Sequence, residues 1–486
     1  PNIIKVTMKE KAIAKSHKPV DLFNSDLPII GSGHLDELYV KTTSSGINKL
    51  EDEIKTTQTK SKKVNISKKK NIENYNIDEK INQSNVTNAL KNKEKIKLKF
   101  FDLQSDEENQ KSINTFISSY VTDKSDFKKI DYSNSLVAYS INIDNIEKLN
   151  QIKEFPTLKE ISTFNKYTTS NNVYKDKIEF NKDVEYPNDD VNYPIVAVVD
   201  SGISQKNKYI SPWIFDTLSY VPDEYQDNSH GTFVAGMILY GNELNNFGMN
   251  IEKCKLLNVI VIPSEQSNVS LTEDDLMIYL EDALIKYSDK VKIWNLSLGT
   301  SCECGDEVSD LAVFLDCLQE KYDVKFIISS GNYETIPLRN WEPQNIINDR
   351  INPPADSALG ITVGSIAHKP VKNFVDVNCP SPFSRKGPGP NFLIKPDVVH
   401  YGGNCTENGE RIGFAVKSFD ENGNIVEDVG TSFSAPMISS IYANIYNKLD
   451  DNNLDLLLAK ALLINNSMIP IKCDNENIDL HQYYGF

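Results

Sequence analysis

No run of eighteen apolar residues occurs in the 486-residue chain, so no membrane-spanning helix is expected. Cysteine is scarce. The seven, Cys254, Cys302, Cys304, Cys317, Cys379, Cys405 and Cys473, are scattered and odd in number. That pattern argues against a disulfide scaffold and favours free thiols in a reducing compartment. Only Cys302 and Cys304 lie close together. Their spacing is not that of a zinc hairpin and no paired His stands nearby, so no metal site is expected. The opening PNIIKVTMKEKAIAKSHKP lacks an apolar core followed by a small-residue cleavage site, so it does not read as a secretory signal. A cytoplasmic location is favoured, and secretion stays open because a leader could precede Pro1.

Positive charge is short overall, with a formal net charge of −16, but it is unevenly spread. Residues 1–100 carry 20 Lys against 12 Asp plus Glu; the remainder carries 32 basic and 56 acidic groups. A basic arm can bind nucleic acid. A basic segment lying against its own acidic body accounts for the asymmetry equally well. No basic patch is interleaved with aromatics, so nucleic acid is not expected as a partner.

What is present divides the chain into five parts. Residues 1–56 hold short mixed elements, with LYVKTT as a strand and INKLEDEIK as a helix. Residues 57–94 are rich in Lys, Asn, Ser and Thr with few large apolar groups, which reads as a solvated linker. Residues 95–165 form a small α+β unit with the order β-α-β-α-β and room for one more strand. Its helix ENQKSINTFISSYV carries Ile113, Phe116, Ile117 and Tyr120 on one stripe. Residues 166–190 are polar and Asn-rich, as an exposed connection would be.

From residue 191 to 486 the texture changes. Fully apolar strands, PIVAVVD, KLLNVIVI, VKIWNLSLG, KFIISSGN and GITVGSI, alternate with helical stretches. Strands buried on both faces and separated by helices predict a mainly parallel sheet in an α/β domain. Ligands of such sheets bind beyond the carboxyl ends of the strands.

Five stretches there could carry chemistry, and each has a bland reading. Asp200 ends the first strand in D-S-G, where an Asx turn is the simple explanation and a hydrogen-bond donor the more demanding one. His230 opens the helix HGTFVAGMILYG, one of only six histidines, in a small-residue setting that leaves its ring accessible. Ser297-Leu298-Gly299 ends a strand. Asn332 follows a strand and a Gly, so its amide can project over the sheet. VGTSFSAPM (429–437) offers two hydroxyls, Ser432 and Ser434, at the start of a helix with Ile438, Ile441, Tyr442, Ile445, Tyr446 and Leu449 at helical spacing. Pro436 is expected in the first turn of that helix, where a missing N–H costs nothing.

Taken in order, Asp200 in D-S-G, His230 in H-G-T-x-V-A-G, Asn332 in S-G-N and Ser432 in G-T-S-x-S-A-P resemble the subtilisin-like serine proteases over about residues 193–470. PADSALGITVGSI and RKGPGPNFLIKPDVV are similar to further pieces of that family. The resemblance implies a subtilisin-like three-layer α/β domain at 191–486, a peptide substrate and no required cofactor. It implies Ser432 as nucleophile and His230 as general base and then acid. Asp200 would fix the imidazole tautomer, in the subtilisin chain order Asp, His, Ser. It makes Asn332 and the Ser432 N–H the donors to an oxyanion. It assigns peptide binding to Ser297, Leu298, Gly299 and Gly331 by backbone pairing. Glu303, Asp306 and Glu307 could favour basic side chains near the scissile bond; a solvated acidic loop is the preferred reading.

The chain also departs from the family pattern. KPDVVHYGG places His400 and Tyr401 where Ala and Pro are usual, and His400 is expected to pack rather than react. YGNELNNFGMN carries no clear version of the calcium loop of secreted members, so calcium is not supported. YETIPLRNWEPQNIINDRINPP is long and is expected to shape one wall of the cleft. By resemblance, residues 95–165 are a prodomain that assists folding and inhibits in cis, with maturation, if any, at about residues 165–190. KSHKPVDLF and PIIGSG resemble the N-terminal segment of bacterial, intracellular subtilases encoded beside AAA-type ATPases, which implies such an ATPase as a candidate partner. An active endopeptidase is the leading reading; a catalytically silent scaffold and a narrow, trigger-released signalling protease are the alternatives. An α/β-hydrolase esterase is disfavoured, because no G-x-S-x-G elbow occurs and the residue order differs.

Overall fold

The computed structural model describes all residues except 13–22, 24–26, 35, 82, 170–176, 344–346, 450–454, 472–474 and 476–477. Cys473 and nearly all of KSHKPVDLF therefore lie outside the described residues. The chain divides into two compact units, Pro1–Phe164 and Asn165–Phe486.

The first unit holds two four-stranded sheets. In one, β1 (Asn2–Met8) is flanked by β3 (Glu37–Thr42) and β4 (Lys69–Asn74), with β2 (Ile29–Ser32) beyond β3. Helices α1 (Ser44–Thr56) and α2 (Lys60–Ser67) accompany it, while α3 (Gln83–Lys91) packs on the other sheet. Residues 57–94 are thus not a bare linker. The β4 strand pairs antiparallel with β1, and α3 buries Val86 and Ala89. The polar composition hid this because few residues do the anchoring: the Lys69 ammonium lies 4.7 Å above the Phe23 ring, and Ile72 packs on the same core. PIIGSG forms β2.

The other sheet follows the predicted order, with the open place filled. The chain runs β5 (Ile96–Phe100), α4 (Asp106–Tyr120), β6 (Phe127–Asp131), β7 (Val137–Ile141), α5 (Ile146–Lys153) and β8 (Leu158–Thr163), arranged β6-β7-β5-β8 and antiparallel. Lys-rich β6 is an edge strand, half-buried only at Phe127 and Ile130, which is why it carries no apolar run.

The second unit is a three-layer α/β domain. It begins with β9 (Lys166–Tyr167) and β10 (Ile178–Glu179), then β11 (Ile195–Asp200), β12 (Ile214–Ser219), α6 (Ser229–Asn245), β13 (Lys255–Ile260), β14 (Leu271–Thr272), α7 (Glu273–Tyr287) and β15 (Ile293–Leu296). There follow α8 (Asp310–Tyr322), β16 (Lys325–Ser329), β17 (Ile361–Ile366), β18 (Val398–Tyr401), β19 (Val416–Phe419), β20 (Asn424–Asp428), α9 (Thr431–Asn447), α10 (Leu456–Asn465) and α11 (His481–Tyr484). Seven strands form one parallel sheet in the order β12-β13-β11-β15-β16-β17-β18. Helix α9 packs across β15 to β18 and against α6, while α7 and α8 pair with each other and α8 lies on β16. The apolar strands are buried on both faces, as continuous Val/Ile/Leu runs require. The polar IFDTLS of β12 escaped the sequence reading because it is the sheet's edge.

The chain leaves β11 to build β12 and β13 on one side, then crosses to β15 on the other. Asp200 therefore ends the strand at the switch point, where a crevice opens above the sheet. Residues 166–190 are less exposed than their composition suggests. Tyr167 is buried in β9, and Phe180 packs edge-on to Tyr209 and Phe419 while its carbonyl accepts from the Tyr209 hydroxyl. Anchors this far apart do not register as a periodic pattern.

Candidate active site

The site assembles from three strand ends, those of β11, β15 and β16, and two helix starts, those of α6 and α9. Asp200 is fully buried, and its Oδ1 accepts from the Ser201 N–H at 2.7 Å and pairs with His230 Nδ1 at 2.8 Å. The imidazole is thus the donor that a strand-end carboxylate needs. His230 reaches this position because α6 comes down close on the β11 turn: a Cβ on Gly231 would overlap the Gly202 carbonyl. Thr232 Oγ1 accepts from the Ser204 N–H at 2.9 Å and pins the same junction.

The second helix start is that of α9. Ser432 is 6 % exposed and Ser434 fully buried, with Ser434 Oγ donating to the Thr431 carbonyl at 3.0 Å. Only the first of the two hydroxyls is within reach of a substrate. His230 stands beside this turn, its ring 5.7 Å from that of Phe433. Asn332 lies across from it. Its Oδ1 accepts from the Thr431 N–H at 3.0 Å and the Thr431 hydroxyl at 3.1 Å. The Nδ2 end is therefore the one turned to Gly430. Its backbone carbonyl is held by Arg385 Nε at 3.0 Å.

One link is not made. Ser432 Oγ donates to the Ser297 carbonyl at 3.3 Å, and His230 Nε2 has no hydrogen-bond partner among the described residues.

Pro436 is a correction to the sequence reading. Helix α9 begins at Thr431, so Pro436 stands in its second turn, where its missing N–H would have bonded the carbonyl of Ser432. That carbonyl instead accepts from Ser297 Oγ at 2.9 Å. Ser297 Oγ in turn accepts from Asn295 Nδ2 at 2.9 Å, and Ser439 Oγ donates to Asn295 Oδ1 at 2.9 Å. The bond from Ser297 ties the end of β15 to the first turn of α9. No sequence signal could have found it, since the partners are 135 residues apart.

Gly299 N–H donates to the Thr168 carbonyl and Thr168 N–H to the Gly299 carbonyl, both at 3.2 Å. On its other edge the segment pairs with β14, Tyr167 against Leu271 and Lys166 against Thr272. Residues 166–168 thus lie as a strand between β14 and Gly299, and Thr169 continues into the crevice. A cleft of about 510 Å³ opens beside Thr168, Thr169 and Asn332, lined further by Tyr333, Leu338, Phe383 and Arg411. Tyr333, Glu334, Ile336 and Leu338 come from the long stretch after Asn332, which does form a wall. Arg411 Nη1 donates at 2.6 Å to Asp428, a buried carboxyl close enough to His230 to feel its charge, and burial raises the Asp428 pKa above the usual carboxylate value.

Leu298 is buried and Gly331 adopts φ +97°, a conformation suited to glycine. The acidic loop is not simply solvated: Glu303 pairs with Arg385 at 3.0 Å and Asp306 with Arg350 at 3.2 Å. Burial pushes the thiols of Cys254 and Cys405 up to about 12 and that of Cys304 to about 11, so none of these is a thiolate at neutral pH. His400 packs against Phe247 and Tyr401, and burial lowers its pKa to about 4.

The chain is 30 % identical over 212 residues to the uncharacterized protein y4bN of Sinorhizobium fredii, covering 37 % of this chain and 49 % of that protein. It is 28 % identical over 141 residues to the minor extracellular protease Epr of Bacillus subtilis, covering 28 % of this chain and 20 % of that one. The chain thus spans about half or less of the length of these curated relatives. Among solved structures, the epidermin leader peptide processing serine protease EpiP of Staphylococcus aureus is similar at 15 % identity and a TM-score of 0.47, over 80 % of this chain and 95 % of that one. The family model for subtilases, peptidase S8, matches residues 192–486, and the chain belongs to that family, whose members are protease-type hydrolases.

Proposed function

We propose that this chain is a serine endopeptidase with Ser432 as nucleophile, His230 as base and then acid, Asp200 as its orienting carboxylate and Asn332 as oxyanion donor. The observation that carries the reading is the 2.8 Å Asp200–His230 bond, set beside the start of α9 with Asn332 locked by Thr431. Asp200 holds the proton on His230 Nδ1, which leaves Nε2 as the basic nitrogen. Nε2 takes the Ser432 proton as Oγ attacks the peptide carbonyl, and the oxygen gains charge against Asn332 Nδ2 and the Ser432 N–H. His230 then passes the proton to the leaving amine. Water, deprotonated by the same nitrogen, cleaves the acyl-serine ester and restores the hydroxyl. The dipole of α9, beginning at Thr431, favours the developing anion.

A catalytically silent scaffold draws on one observation, the Ser432 bond to the Ser297 carbonyl in place of His230. Catalytic hydrogen bonds commonly tighten only on substrate binding. The active reading is therefore favoured.

The strand at 166–168 supports a second part of the proposal. It sits on Gly299 as a bound peptide would, so on this reading residues 166–169 block the site in cis. Release of the block requires a cut after Thr169 and before Ile178, where the chain is again paired, to β20. An ATPase as the releasing trigger rests on the N-terminal resemblance alone, and a cytoplasmic location on that resemblance and the scattered, odd-numbered cysteines. The test is a fluorophosphonate probe with intact mass on wild type, Ser432→Ala and Ser434→Ala. Labelling and any self-cut disappear in Ser432→Ala and persist largely in Ser434→Ala. Folded wild type, freed of the N-terminal region, that takes no label would end the protease reading.

A further inference from the structure

The proposed peptidase site has a definite place for the side chain of the residue whose carbonyl is attacked, and that place is filled. Strands β15 and β16 are parallel neighbours, Leu296 beside Ile328. Beyond them run Ser297-Leu298-Gly299 and Ser330-Gly331-Asn332. A peptide laid on Gly299, with its reacting carbonyl between Ser432 and Asn332, must set its acyl-side side chain into the gap between these two stretches.

Asn352 bridges that gap. It is 3 % exposed, its N–H donates to the Ser330 carbonyl at 3.1 Å, and its side-chain Nδ2 donates to the Cys302 carbonyl. Its Oδ1 lies where a Cβ on Gly331 would fall. The side chain therefore reaches from one wall of the gap to the other. Arg385 backs it, with Nη1 donating to Glu303 at 3.0 Å and to the Arg350 carbonyl at 2.9 Å. Cys304 N–H donates to the Ile351 carbonyl at 2.9 Å and closes the rim. The charges of this floor are spent on one another, so it offers no free carboxylate to a basic side chain. A bulky side chain would have to break the Asn352 bond and the Arg385–Glu303 pair, leaving polar groups buried and unpaired.

We infer that Asn352 restricts the acyl-side residue of the substrate to Gly, Ala or Ser, and that Asn352 is the specificity-determining residue of this subsite. The inference rests on the serine endopeptidase reading.

The test uses the full chain, in whatever processed form it takes, on quenched fluorescent peptides varied at the acyl-side residue. Fluorophosphonate labelling is run on the same samples. Wild type is expected to cleave after Ala, Ser or Gly at least about 100-fold better than after Phe, Leu, Lys or Arg, the scale set by forcing groups into a site without room for them. Asn352→Gly, with Asn352→Ala as the milder variant, is expected to raise kcat/KM for Leu and Phe by about 10-fold or more while the rate after Ala changes less. Wild type that cuts after Phe, Leu, Lys or Arg as readily as after Ala overturns the inference, whatever the variants do. A chain that labels at Ser432 but cuts none of the peptides overturns it too. Absence of Ser432-dependent labelling sinks the protease reading itself, and so tells the two failures apart.

Discussion

Ser297→Ala tests the bond that replaces the helix hydrogen bond lost to Pro436. The wild-type Ser297 Oγ is the donor to the Ser432 carbonyl and the acceptor for Asn295 Nδ2, all three residues being buried. Removing it forfeits two hydrogen bonds and leaves a buried acceptor and a buried donor unsatisfied. A buried group left unpaired costs about 1–3 kcal/mol. Some of this returns through Ser439, whose hydroxyl stays on Asn295. The expected loss is about 2 kcal/mol, or a fall of roughly 3 °C in Tm for a domain of this size. Pro436→Ala supplies the missing helical N–H to the same carbonyl. In the double variant Ser297→Ala/Pro436→Ala the loss should therefore shrink, with a coupling of about 1 kcal/mol in the cycle. Thermal and urea unfolding of the four proteins is the assay. Strictly additive losses, or no loss in Ser297→Ala, would show that the carbonyl does not depend on the Ser297 hydroxyl.

Asn332→Ala should lower kcat by about 100- to 1000-fold with a smaller effect on KM, read by steady-state cleavage, because one oxyanion donor is worth about 2.7–4 kcal/mol in the transition state. It should also loosen the start of α9, since Thr431 loses its acceptor. The pH dependence of stability should carry the mark of His400. Burial lowers its pKa from 6.5 to about 4, so the folded state favours the neutral ring and the unfolded chain binds the proton first. The stability it contributes is full above pH 6.5 and is lost as pH falls towards 4, a change of about 3 kcal/mol. His368 is lowered to about 4 in the same way and steepens the loss. Urea midpoints across pH 4–7 should show the slope, and His400→Phe should flatten part of it.

The parallel sheet and the order Asp200, His230, Asn332, Ser432 were readable because each rests on local signals. Continuous apolar runs report burial on both faces, and small residues around the four positions report close backbone approach. Gly231 is the case in point, readable as a helix-start glycine although its neighbour Gly202 is 29 residues away. What was not readable depended on long-range partners or on sparse anchoring. Residues 57–94 fold on Lys69, Ile72, Val86 and Ala89, too few to outweigh the polar composition around them. The strand at 166–168 looked like connection because its hydrogen bonds go to Gly299 and β14, not to its own neighbours. Pro436 was misplaced by one turn because the first residue of a helix is fixed by backbone geometry beyond the reach of propensity.

That one-turn shift alters how the serine is understood. A proline in the first turn would be silent; in the second turn it frees the carbonyl of Ser432, the proposed nucleophile. The freed carbonyl is what lets Ser297, at the end of the neighbouring strand, grip Ser432 from outside its helix. Ser432 is then held at both of its oxygens by one residue, Oγ to the Ser297 carbonyl and carbonyl to the Ser297 hydroxyl. The first is a weak 3.3 Å contact that a side-chain rotation breaks, and the second is a 2.9 Å bond that the backbone keeps. Loss of the first frees the hydroxyl to turn towards His230, while the second keeps its Cα fixed. A mobile Oγ on a fixed backbone is what a nucleophile needs when it must meet the base and a substrate carbonyl in turn.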